Sequence, residues 1–135
     1  MNRSSLLVYQ WVTGLADTFT GVLLYLAPML TLQMMGVHAP AEAAPYIGYI
    51  GAFVLSVGLA CLYGARLVRM CGCAHRIETV WLLTAFSRSA VAIYLAERIA
   101  SGTFEPAWMS VVLFDGACVV VQGVGLHRKW LRYAE

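Results

Sequence analysis

The chain has 135 residues, of which 61% are hydrophobic and only 12% are charged. Soluble globular domains carry about 25% charged residues, so this composition, with a mean hydropathy of +0.74, excludes a soluble domain and predicts an integral membrane protein. The length leaves no room for a second domain, and a net charge of +2 without a basic run argues against nucleic acid as a partner.

Four apolar stretches are each long enough to cross a bilayer as a helix. They lie at about residues 6–28, 46–67, 77–100 and 107–126. The first lacks a cleavage site and is expected to be retained, and Pro28 is expected to end or kink it, because proline removes a backbone donor and clashes with the preceding turn. The sequence therefore predicts an all-α fold, an up-and-down four-helix membrane bundle that forms one domain over residues 1–135.

The second span is rich in glycine. Small residues let helices approach closely in lipid, where packing drives helix association. This span is therefore a candidate for the helix that faces a partner.

Basic residues collect at one side of the predicted bundle. On that side lie Arg3, Arg66, Arg69, Arg76, Arg128, Lys129 and Arg132. Only Arg98 lies near the opposite side. The positive-inside rule then places both termini, and the turn between spans two and three, in the cytoplasm, with the chain in the inner membrane.

Three charged residues fall near the centres of apolar spans: Asp17, Arg88 and Asp115. Each is about eleven residues, or roughly 16 Å, from the cytoplasmic end of its span, which is the midplane of a core about 30 Å thick. An arginine at this depth costs at least about 2.5 kcal/mol unless it faces the protein interior and finds partners. The three side chains are therefore predicted to meet as a buried cluster.

Helical spacing or equal depth adds four polar neighbours to this cluster. They are Gln10, Ser56, Thr84 and Gln122. Two acids and one base would carry a net charge of −1 when fully ionised, and a shared proton is one way to neutralise them. The cluster has two interpretations: a site that handles protons, ions or a charged substrate, or a structural network that fixes the order and rotation of the helices.

A second candidate site lies at the cytoplasmic side. Cys71, Cys73, His75 and His127 together offer four nitrogen and sulfur ligands for zinc, although C-x-C is tighter than the usual C-x₂-C spacing. The alternative is reduced thiols and interfacial histidines. We predict no catalytic residue and no cofactor, with zinc or a quinone as alternatives.

Several segments resemble the DoxX-like group of small four-helix membrane proteins. They are GVLLYLAP (Gly21–Pro28), Met35–Gly36, Gly48–Leu62 and VWLLTAFSR (Val80–Arg88). The resemblance implies a compact bundle in a bacterial inner membrane, and some members are associated with quinone-linked redox complexes. Members often carry a glutamate in the second span where this chain has Gly51-Ala52-Phe53, so no role of that acid carries over.

The leading functional prediction is a non-enzymatic accessory or scaffold subunit, within a homo-oligomer or a larger membrane complex. Little of the chain lies outside the spans, which leaves little room for a separate active site. The first alternative is a small proton-coupled carrier that uses Asp17 and Asp115, and the second is a DoxX-like quinone-linked redox subunit.

Overall fold

A computed structural model describes residues 2–70 and 74–133. The secondary structure in these ranges is helical, without strands, so the all-α prediction is confirmed. The helices are α1 (Arg3–Leu26), α2 (Pro28–Met34), α3 (Ala44–Met70), α4 (Ala74–Ala100) and α5 (Met109–His127). Short 3-10 turns occupy Ala41–Ala43, Pro106–Trp108 and Trp130–Tyr133.

The first apolar stretch forms two helices, and Pro28 separates them as expected. Asn2 caps α1, because its side chain accepts a hydrogen bond of 2.8 Å from the Ser5 amide. At the other end, Ala27 leaves the helical region with φ −140° and ψ 62°. Pro28 then begins α2, where its missing N–H is no loss. The first long helix therefore begins three residues earlier than predicted and ends two residues earlier.

Helices α1 and α3 pack together along their lengths through backbone contacts at glycine. A Cβ atom added to Gly58 would lie 2.9 Å from Thr18 Cα, and one added to Gly51 would lie 2.6 Å from the Tyr25 amide nitrogen. Any larger residue would push the two helices apart. The expectation that the glycine-rich span faces a partner is wrong for these two glycines, because they are buried against α1 of the same chain.

Helices α4 and α5 form the second closely packed pair, and backbone packing between the two pairs is sparse. Two apolar clusters join the pairs at opposite ends. One cluster contains Leu6, Leu67, Val68, Ile77, Trp81 and Leu131. The other contains Leu24, Leu32 and Val37, packed against Ile47, Val54 and Trp108. The charged residues at mid-helix therefore lie between two apolar layers.

Three helical segments are long and apolar enough to cross a membrane: Ala41–Met70, Ala74–Ala100 and Pro106–His127. Helix α1 is not among them. It has 24 residues, which span about 36 Å at 1.5 Å per residue, and it buries Gln10, Thr13 and Asp17. Three of the four predicted spans are thus long and apolar enough to cross a membrane.

Candidate functional site

The guanidinium of Arg88 joins three helices. Its Nη1 donates a hydrogen bond of 2.5 Å to Oδ1 of Asp115 on α5, and its Nη2 donates to Oδ2 of Asp17 on α1. The Arg88 side chain is 3% exposed, and those of Asp17 and Asp115 are 10% and 13% exposed. We call these three residues the charged triad. The structure brings together all three charges that depth and sign grouped in the sequence.

The helical repeat places each member of the triad on a buried stripe. The buried residues of α4 recur at intervals of three, four or seven: Ile77, Trp81, Thr84, Arg88 and Leu95. Those of α5 do the same: Asp115, Cys118, Gln122 and Gly125. A repeat of three and four keeps residues on one face of an α-helix. The triad therefore faces inward because the residues one and two turns away also face inward.

An aromatic ring and two thiols complete the surroundings of the guanidinium. The Phe114 ring centroid lies 5.4 Å from Arg88 Cζ, which is cation–π distance. Cys61 and Cys118 are buried as free thiols. Neither Phe114 nor Cys61 was predicted at the cluster. Phe114 adjoins Asp115 in sequence, but adjacent helical residues normally point about 100° apart, so spacing gave no signal for it.

Three of the four predicted polar neighbours are buried in the interior, and the fourth is not. Gln122 Nε2 donates to Thr84 Oγ1 at 2.8 Å, which links α5 to α4. Gln10 is 0% exposed and packs on Gly64, and within the described ranges neither end of its amide has a hydrogen-bond partner. Ser56 was placed wrongly: it is exposed on α3, and its hydroxyl donates to the Phe53 carbonyl at 2.7 Å.

Two further polar residues, buried Thr13 and half-buried Tyr9, were missed in the sequence. Thr13 is 4% exposed and lies one turn before Asp17, and its hydroxyl donates to the Tyr9 carbonyl at 2.9 Å. Tyr9 packs on Trp81 with ring centroids 5.3 Å apart, and its hydroxyl donates to the Cys118 carbonyl at 3.4 Å. The spacing of four between Thr13 and Asp17 was the available signal for Thr13.

The zinc prediction finds no support in the described part of the chain. Cys71 and Cys73 lie outside the described residues. The His75 side chain is 94% exposed, and His127 is exposed as well. Among residues 2–70 and 74–133, no group of three or more His, Cys, Asp or Glu side chains is arranged to hold a metal ion. The zinc and quinone alternatives stay predictions.

A groove of about 430 Å³ runs along the outer face of α1. Its lining residues are Ser4, Ser5, Val8, Tyr9 and Val12. No member of the charged triad lines it. The groove is therefore separate from the triad.

No family model, curated protein or solved structure matches this chain. The resemblance to DoxX-like proteins therefore stays a prediction, and the function is argued from the triad itself.

Proposed function

We propose that this protein is a four-helix membrane scaffold, a non-enzymatic accessory subunit of a homo-oligomer or a larger membrane complex. One observation carries the proposal. The charges at the centre of the helices are paired with one another, because Arg88 contacts both aspartates and all three side chains are at least 87% buried. Charges arranged in this way stabilise the protein's own packing and leave little charge accessible to a substrate.

The triad lies between the two helix pairs, where backbone packing is sparse. Glycine-mediated packing holds α1 to α3, and α5 packs along α4, but backbone packing between the two pairs is sparse. Lipid tails are as apolar as leucine, so the hydrophobic effect does not select how the pairs dock. Arg88 reaches from α4 to Asp17 on α1 and selects one rotation of each helix. Buried polar groups fix register and orientation in this way in some proteins.

The surface of the helices suits a protein that acts through contacts in the membrane. Large apolar side chains project outward from each long helix, among them Phe19, Phe53, Phe86 and Leu113. We place four crossings in the inner membrane, with both termini and the basic residues on the cytoplasmic side. The exposed apolar faces then meet lipid, a second copy or a partner subunit.

Subunit counting in native membranes tests the scaffold proposal. The protein is expressed at its native level with one fluorescent label, and bleaching steps are counted in native-membrane nanodiscs. In parallel, a photo-crosslinking residue is placed at exposed Phe53 or Phe86, with buried Leu95 as the control site. A fixed copy number or a crosslinked species of defined mass supports the proposal. A lone monomer that gives no crosslinked product at either exposed site contradicts it.

A small proton-coupled carrier is the second candidate, and buried polar atoms without partners favour it. Within the described residues, Arg88 Nε and both ends of the Gln10 amide lack hydrogen-bond partners. Buried polar groups of this kind are usually satisfied by water. Water beside Asp17 would provide part of a proton path.

Proteoliposomes that contain a pH-sensitive dye separate the two candidates. With a gradient of a lipophilic cation imposed as test substrate, a carrier gives proton flux above that of protein-free vesicles, and Asp17→Asn or Asp115→Asn abolishes it. A scaffold gives the same background for the native protein and both variants.

A further inference from the structure

The charged triad contains both aspartates of the chain, Asp17 and Asp115. Its cation is Arg88, whose guanidinium does not lose its proton in proteins. If both carboxyls were ionised, the triad would carry a net charge of −1. Any adjustment of this charge must therefore occur at the carboxyls.

Among the residues that the structure describes, no neighbouring group supplies the missing positive charge. The titratable side chains that interact with the guanidinium are Tyr9 on α1, Cys61 on α3 and Cys118 on α5, besides the two aspartates. Phenols and thiols with ordinary pKa values are uncharged at pH 7. The nearest arginine along α4 is Arg98, ten residues away and therefore about 15 Å along the helix. The net charge of the triad must therefore be neutralised at its own carboxyls.

The position of the triad makes an unbalanced charge costly. It lies between the two apolar clusters, and both carboxyl side chains are at least 87% buried. An isolated carboxylate in such surroundings takes up a proton in preference to remaining charged.

Two fully buried amides lie on the same inward stripes as the aspartates. Gln10 is on the stripe of Asp17 and Gln122 on that of Asp115, and both are 0% exposed. Within residues 2–70 and 74–133, the Oε1 atom of each lacks a hydrogen-bond donor. Water usually satisfies buried acceptors of this kind, so each inward stripe has a polar atom suited to a water about two turns from its aspartate.

We propose that the charged triad is a proton-binding site that holds one proton at neutral pH, shared between the carboxyls of Asp17 and Asp115. The bound proton makes the triad electrically neutral: one carboxylate, one carboxylic acid and one guanidinium. The proposal is independent of whether the protein is a scaffold or a carrier, because it concerns the charge state of the folded protein at rest.

Isotope labelling tests this proposal cleanly, because aspartate labelled at the carboxyl carbon reports on the triad alone. The full chain is made by cell-free synthesis with ¹³C-labelled aspartate, reconstituted in lipid bilayers at pH 7, and measured by infrared and solid-state NMR spectroscopy. The native protein is expected to show one protonated and one ionised carboxyl. Asp17→Asn and Asp115→Asn are each expected to lose the protonated signal completely, since the remaining carboxylate pairs with Arg88 and the site is already neutral.

Removal of the Arg88 cation raises the expected number of protonated carboxyls from one to two. In Arg88→Gln both carboxyls are expected to be protonated, so the protonated signal doubles. The two Asn variants replace an acid by its neutral isostere, and they decide the question even if Arg88→Gln does not fold. Two ionised carboxyls in the native protein, or a protonated carboxyl that persists in either Asn variant, would overturn the proposal and leave the scaffold function untouched.

Discussion

Gly58→Ala tests whether close backbone approach holds α1 against α3. The added Cβ would lie 2.5 Å from the Thr18 amide nitrogen and 2.9 Å from Thr18 Cα, whereas ordinary contacts of a Cβ atom lie at 3.4–4 Å. Both of these atoms belong to the backbone of α1, so rotation of a side chain cannot relieve the clash. The two helices must separate by about 1 Å, and this strain destabilises the packed state.

The size of the effect follows from two opposing terms. Overpacking of this kind costs about 1–3 kcal/mol. Alanine in place of glycine offsets up to about 1 kcal/mol of this cost through its higher helix propensity. We therefore expect Gly58→Ala to lower the free energy of unfolding by up to about 2 kcal/mol. Thr18 follows Asp17 directly, so the same movement also strains the contact of Asp17 with Arg88.

Gly123→Ala is the matched control. Gly123 lies in α5, and an added Cβ there meets no atom within 4 Å. This variant gains helix propensity without a clash, so its stability should be unchanged or up to about 1 kcal/mol higher. Unfolding is followed by circular dichroism as dodecyl sulfate is titrated into mixed micelles. Equal stability of the two variants would refute the account of α1–α3 packing.

Three further changes probe other contacts. Arg88→Met removes the cation from two buried acids, which must then both be protonated at pH 7, and it should cost about 3–5 kcal/mol in the same titration. Arg3 donates to the last carbonyls of α3, so Arg3→Ala should cost about 1 kcal/mol and speed hydrogen exchange in the last turn of α3. The Ser56 hydroxyl bonds the Phe53 carbonyl of its own helix, so Ser56→Ala should change the free energy of unfolding by less than about 0.5 kcal/mol; a larger loss would place Ser56 inside.

The sequence predicted the contacts of the triad because charge in lipid leaves few alternatives. A guanidinium near the centre of a span must find acidic partners, and Asp17 and Asp115 are the acids at the same depth. The fixed helical rise converts positions in sequence into depths, and an error of one turn does not change which charges are level. Depth and sign were therefore enough to group Asp17, Arg88 and Asp115.

Rotation about the helix axis was harder to predict. Ser56 has the depth of the triad, but α3 turns Gly51 and Gly58 toward α1, and Ser56 lies two residues, or about 200°, from Gly58. Spacing on α3 offered no polar stripe that would have revealed this orientation. Spacing also did not reveal that Gly51 and Gly58 pack on α1, since glycines that admit a neighbouring helix do not indicate whether it belongs to the same chain.

The glycines make contacts within one helix pair, whereas Arg88 of the charged triad makes a contact between the two pairs. Gly51 and Gly58 hold α1 and α3 at backbone distance, while α4 and α5 form their own pair. Between the pairs, the main polar contact at mid-helix is that of Arg88 with Asp17. Loss of the arginine should therefore weaken the docking of the two pairs, which the apolar clusters at their ends still join, whereas loss of a glycine contact opens a pair from within. If the proposed scaffold role is correct, the charges select how the two pairs dock, which is the role expected of a buried polar contact in a solvent that gives apolar surfaces no preference.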